Sequence, residues 1–151
     1  MDIHTYLKEW AVQYFRNKDI VARNIVSVEQ GKDVVILKYK DHEEQIMPLG
    51  SLEEFNEQPS QDFIDIIVFN SHKNFKVLLD SWEHFIRFPN LKLFFINPFS
   101  EADHKWIVSP AIHHRVSDEA SLKRGLQAMF DTVATLDEAE LKENLEAIES
   151  L

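Results

Sequence analysis

Two polar runs in this chain could bring chemistry to one place: Asn70-Ser71-His72-Lys73, and Asn97-Pro98-Phe99-Ser100-Glu101. Each follows a strongly apolar segment, residues 63–69 and 91–97. If those segments are strands leaving a sheet in one direction, both runs share the edge where open α/β sheets bind ligands. The first run also opens a helix-patterned stretch, whose free N–H groups attract anions, and His72 and Lys73 add positive charge. Asn70, Ser71, His72, Lys73, Asn97 and Ser100 are therefore the candidate ligand-binding residues. The competing reading is structural. Ser and Asn lead the N-cap ranking, so Asn70 or Ser71 caps the helix and the rest is solvated loop. The three glycines, Gly31, Gly50 and Gly125, all lie away from this turn, so neither a dinucleotide fingerprint nor a phosphate-cradling loop occurs.

Asp33, Lys38 and Asp65 form a second candidate set, catalytic in kind. Carboxylates on neighbouring strands can hold a divalent cation that activates water. Asp33 opens the apolar stretch that carries Lys38 and Lys40, and Asp65 lies inside a stretch so apolar that its charge needs a partner. The order helix, antiparallel strands, helix, strand through the first two-thirds of the chain resembles the core of restriction-endonuclease-like nucleases. That resemblance implies an acid on one strand, an acid-x-Lys triplet on the next, and Mg²⁺ between the carboxylates. The triplet itself is missing: Ile36 stands two before Lys38, Lys38 two before Lys40, and Ile67 two after Asp65. A nuclease built on this chain would have a degenerate or rearranged site. The structural reading of Asp65 is a carboxylate paired to Lys or Arg.

Histidine gives no metal site. His113 and His114 are adjacent in a stretch read as strand, so their side chains point to opposite faces. Asp103-His104 and Asp41-His42-Glu43-Glu44 read as solvated turns, short of the ligand count that metals require. A G-x-S-x-G elbow is absent. With no cysteine there is no thiolate zinc site, thiol nucleophile or disulfide. No cofactor is evident.

The elements that must position these residues follow from periodicity. Ile3, Tyr6, Leu7, Trp10, Ala11, Tyr14 and Phe15 recur at helical spacing behind Asp2 as N-cap. Residues 25–28 and 33–40 read as a hairpin about Gln30-Gly31-Lys32. A short third strand at 45–49 follows, which Pro48 either confines to an edge or ends. Residues 50–61 read as loop with a short helical turn. Segments 63–69 and 91–97 are apolar on both faces, the pattern of strands covered above and below. Between them Phe75, Leu78, Leu79, Trp82, Phe85 and Ile86 form one helical stripe, ended by Pro89 and Asn90. A strand–helix–strand connection of this length joins parallel strands. Residues 105–108 and 112–116 read as strand pieces. Ser117 or Asp118 then caps a helix with Leu122, Leu126, Met129, Phe130 and Val133 on its face. Thr135-Leu136-Asp137-Glu138 matches a capping box that opens a last helix. The expected fold is a single three-layer α/β domain with a mixed sheet over residues 1–136. An acidic C-terminal helix, 137–151, is expected to pack on it.

A chain of 151 residues, 44% hydrophobic and 28% charged, has the length and balance of one globular domain. Its net charge of −10 repels polyanions, which disfavours non-specific nucleic-acid binding. The charge is uneven: six acids between Asp137 and Glu149 face one lysine, Lys142, and supply half of it. Without a signal-like N-terminus or an apolar span, a soluble cytoplasmic protein with no membrane contact is expected. The expected function is a non-catalytic interaction or regulatory module, acting on a protein partner or by self-association. The alternative is a metal-dependent phosphodiesterase with a rearranged site, using Mg²⁺.

Overall fold

Six strands pair in chain order in the computed structural model, which describes residues 1–150. They are β1 (Ile25–Gln30), β2 (Val35–Tyr39), β3 (Glu43–Pro48), β4 (Phe63–Phe69), β5 (Leu91–Ile96) and β6 (Lys105–Val108). Six helices accompany them: α1 (Ile3–Lys18), α2 (His72–Asp80), α3 (Trp82–Phe85), α4 (Pro110–Val116), α5 (Glu119–Asp131) and α6 (Glu138–Glu149). β1, β2 and β3 form an antiparallel meander, β3, β4 and β5 run parallel, and β6 returns antiparallel. β4 and β5 are neighbours paired from Ile64↔Leu91 to Phe69↔Ile96, as the two apolar runs require.

Alternation along β4 sorts its side chains to two cores. Ile64, Ile66 and Val68 join Phe75, Leu78, Trp82, Phe85, Leu126 and Phe130 from α2, α3 and α5. Ile67 and Phe69 join Leu7, Ala11 and Phe15 from α1 and Leu141 and Leu145 from α6. The domain is thus a three-layer α/β structure with a mixed sheet, and α6 lies on the α1 face. No helix among the described residues is long and apolar enough to cross a membrane.

Three local expectations need correction, and a fourth, the role of Pro48, resolves to its strand-ending alternative. Residues 112–116 are helical, within α4: Pro110 sits in its first turn, where a missing N–H leaves no bond unmade and the fixed φ favours the helix. The stripe from Phe75 to Ile86 is two helices, broken at Ser81. β3 is an interior strand between β2 and β4, and Pro48 is its last residue. The last helix is capped by Asp137, whose carboxylate accepts the Glu140 N–H, and Thr135 lies outside it. Leu136 is drawn into the α1-side core, which pulls the chain away from the helical path just before Asp137.

That cap assignment predicts a contrast. Asp137→Ala removes the acceptor and is expected to cost about 1 kcal/mol, whereas Thr135→Ala changes stability by less than about 0.5 kcal/mol. Urea unfolding of the two variants measures both, and a larger loss at Thr135 would restore the earlier cap.

Candidate functional site

At the carboxyl ends of β4 and β5, three asparagines spend their hydrogen bonds on the fold. Asn70 is fully buried. Its Oδ1 accepts Trp106 Nε1 at 2.8 Å, and its Nδ2 donates to Val133 O at 2.9 Å. Its backbone N–H donates to Ile96 O at 2.7 Å, and its carbonyl accepts Leu136 N at 2.9 Å. Asn97 Nδ2 donates to Ala134 O at 2.8 Å, and its Oδ1 accepts Phe99 N at 3.2 Å. Asn74 donates to Phe69 O and accepts Leu52 N, both at 2.9 Å, so it ties the 3-10 turn Leu52–Glu54 to the end of β4. The connection from α5 to α6 is therefore fastened across the strand ends.

The six ligand-binding candidates separate in this arrangement. Asn70 and Asn97 hold that connection. Ser100 lies in the turn after β5, where its Oγ accepts Ala102 N at 3.2 Å. Ser71 caps α2, accepting Asn74 N at 3.1 Å. Ser71, His72 and Lys73 also line a cavity of about 1060 Å³ between the starts of α1 and α2 and the length of α6. Its apolar floor is Ile3, Phe69, Leu136, Leu141 and Leu145. Acids dominate its lining: Asp2, Glu54, Asp137, Glu138, Glu140, Glu146 and Glu149, against Lys73, Lys142 and the Met1 ammonium, which pairs with Glu149. His4 Nε2 meets Glu54 Oε2 at 3.2 Å.

The opposite, amino edge of the parallel strands holds a second cluster, centred on Asp65. This residue is 4% exposed and pairs along the sheet with Ile46 on β3 and Lys92 on β5. The carboxyl group of Asp65 hydrogen-bonds that of Glu44, so one proton serves two carboxyls. Burial, then the hydrogen bond and charge of Glu44, push Asp65 up to about 9. Burial also opposes ionisation of Glu44, but the hydrogen bonds from Asp65 and His42 outweigh it and its pKa is lowered. His42 Nε2 lies 3.0 Å from Glu44 Oε1 and its Nδ1 lies 2.7 Å from Asp41 Oδ1. Those two bonds raise the pKa of His42. At neutral pH the site is a protonated Asp65 donating to an ionised Glu44.

Asp33 and Lys38 do not join it. Asp33 is exposed in the turn between β1 and β2. Lys38 bonds Glu29 Oε1 at 2.9 Å. It alternates with Leu37, an α1-side core residue, so it emerges on the face away from Asp65. Among the described residues no group of three or more His, Asp and Glu side chains is placed to hold a metal ion. Glu44 and Asp65 satisfy each other, with His42 on the remaining side, and the residues present do not fit Mg²⁺. His113 and His114 are also engaged: His113 Nδ1 lies 3.0 Å from Ser109 O, and His114 Nδ1 accepts Trp82 Nε1 at 3.1 Å. Sequence reasoning marked Asp65 as needing a partner but missed Glu44. The available signal was register: each acid stands two residues before an isoleucine, Ile46 or Ile67, of the α1-side core.

The chain matches no protein-family model, no curated protein and no solved structure at a significant level.

The proton on Asp65 makes stability depend on pH in a definite sense. The folded chain holds it and the unfolded chain has lost it between the ordinary value of 3.8 and about 9. Stability then falls as pH rises through that window, by up to about 1.4 kcal/mol per pH unit from this group. Asp65→Asn keeps an N–H donor for Glu44 without a titrating proton. It is expected to flatten the pH dependence between about pH 5 and pH 8 and to be more stable than the parent chain at the upper end. Urea unfolding across that range measures this, and an unchanged slope would mean that Asp65 is not the proton carrier.

Proposed function

We propose that the protein is a non-catalytic interaction module whose groove between α6 and the starts of α1 and α2 takes a basic, apolar-faced segment of a partner protein. The observation that carries this reading is the composition of the groove: an apolar floor and a lining in which acids outnumber lysines. Carboxylates gathered in one cleft repel, and its low-dielectric lining focuses their field, so a cationic ligand gains where an anionic one is rejected. Apolar contact with Leu141, Leu145 and Phe69 supplies binding free energy, while the charges set the sign of the partner and speed its approach. An amphipathic helix laid into a hydrophobic groove is one such mode of recognition. The position also favours it, since the groove lies outside the carboxyl ends of the parallel strands. The phosphodiesterase alternative has less support, because Asp33, Lys38 and Asp65 stand in three separate places.

An amphipathic peptide with lysines on its polar face, and the same peptide with glutamate in their place, test the proposal by calorimetric titration. The lysine peptide is expected to bind, more weakly as salt is raised. Its affinity is expected to fall by about tenfold or more in the double variant Glu138→Lys, Glu146→Lys. Equal binding of both peptides, or none of either, would refute it.

A further inference from the structure

The corner where β2 turns into β3 is closed by groups that answer to the same protons. Tyr39 N donates to His42 O at 2.8 Å. The His42 ring stacks on Tyr39 with centroids 4.7 Å apart and planes 1° apart, and lies 4.9 Å from the Phe63 ring. So held, it directs Nδ1 at Asp41 and Nε2 at Glu44, at 2.7 and 3.0 Å. Both contacts are hydrogen bonds only while the ring carries two N–H groups. Neutral imidazole has one, so its other nitrogen turns a lone pair toward a carboxylate. Glu44 reaches on from the corner to buried Asp65, and the protons of His42 and Asp65 therefore stabilise one shared anion.

The surrounding charges set the balance. Lys92 on β5 and Lys18 at the end of α1 favour the ionised form of Asp65. Lys92 also favours the ionised form of Glu44. The phenols of Tyr14 on α1 and Tyr39 on β2 are both held above the ordinary phenol range by burial first, with Asp65 adding to this at Tyr14 and Glu44 and Asp65 at Tyr39. Asp19, after α1, acts on Tyr39 in the same sense. Glu43 acts on Lys38.

We propose that Asp41, His42, Glu44 and Asp65 form a proton-held latch on the β2–β3 corner, closed while His42 carries both ring protons and released when one leaves. Release begins at the open end, because the Asp41 side chain is 85% exposed and water replaces its contact readily. The bonds to Glu44 and Asp41 raise the His42 midpoint above the ordinary 6.5, so the latch holds through mild acidity and yields on the alkaline side. Asp65 is buried within the sheet while His42 and Asp41 stand at its exposed corner, so the corner is where loosening begins. This device lies at the edge of the sheet opposite the groove and does not depend on what the groove binds.

Nuclear magnetic resonance on the full chain tests it. The His42 ring shifts give its midpoint. Hydrogen exchange gives the protection of the Tyr39 amide, in excess of the change at Val68 in the sheet centre. The excess loss is expected to share the His42 midpoint and to approach about tenfold per pH unit above it, as release of one proton requires. His42→Gln is expected to abolish the step, and Asp41→Asn, at an exposed position that leaves the fold intact, to move both midpoints down together. A Tyr39 loss that does not track His42, a step that survives in His42→Gln, or a His42 midpoint at or below 6.5 would overturn the latch.

Discussion

Burying a parallel strand pair on both faces leaves one problem that apolar side chains cannot solve. The backbone groups at the strand ends still need partners, and water does not reach them. Asn70 meets that constraint, and much of the fold hangs from it. Placed directly after β4, it joins β5 through Ile96 O, β6 through the Trp106 indole and the α5–α6 connection through Val133 O and Leu136 N. Asn97 and Asn74 extend the same solution to Ala134 and to the 3-10 turn. Fastening residues 133–136 there sends Leu136 into the α1-side core and sets the start of α6 beside α1. The groove exists because α6 begins where those amides hold it.

The buried acid serves the fold in another way. Isolated, an ionised Asp65 would be expelled from such a core. It is tolerated because burial, reinforced by the hydrogen bond and charge of Glu44, keeps it neutral. The arrangement also pins register. A one-residue slip of β4 would move Asp65 to the other face, among Phe75, Phe85 and Phe95, where no carboxylate waits. A purely apolar β4, with Ile64, Ile66 and Ile67 all able to fill either core, would discriminate less between the two alignments.

The large elements were legible in the chain because each is written by burial. Phe63–Phe69 is apolar at nearly every position because both faces are covered, and α1 shows its stripe because one face alone is covered. Capping chemistry announced helix starts at Asp2, at Asn70 or Ser71 and at Ser117 or Asp118, and the caps are Asp2, Ser71 and Asp118. What could not be read depended on partners far away in sequence. Ile112 and Val116 look like strand residues until Pro110 is placed at a helix start rather than in a loop. Thr135 looks like a cap until Leu136 is claimed by a core. Asp41-His42-Glu43-Glu44 looks like a solvated turn, because nothing local says that β3 starts within it and lies against β4. The groove was hidden for the same reason: its lining comes from the starts of α1 and α2, from residues 50–54 and from the length of α6, all distant in sequence.

The two edges of the sheet have therefore been closed by opposite means, and this bears on what each can do. The carboxyl edge is tied by neutral amides, with Asn70 and Asn97 bonded to backbone and indole partners. Beside it lie the carboxylates and apolar side chains of the groove, the groups on which the proposed recognition of a basic, apolar-faced segment rests. The amino edge is tied by charges and protons, whose strength changes with pH without any rearrangement of the core. If both proposals hold, recognition and control sit at opposite edges of one sheet, and Asp41, His42, Glu44 and Asp65 are not among the residues that line the groove.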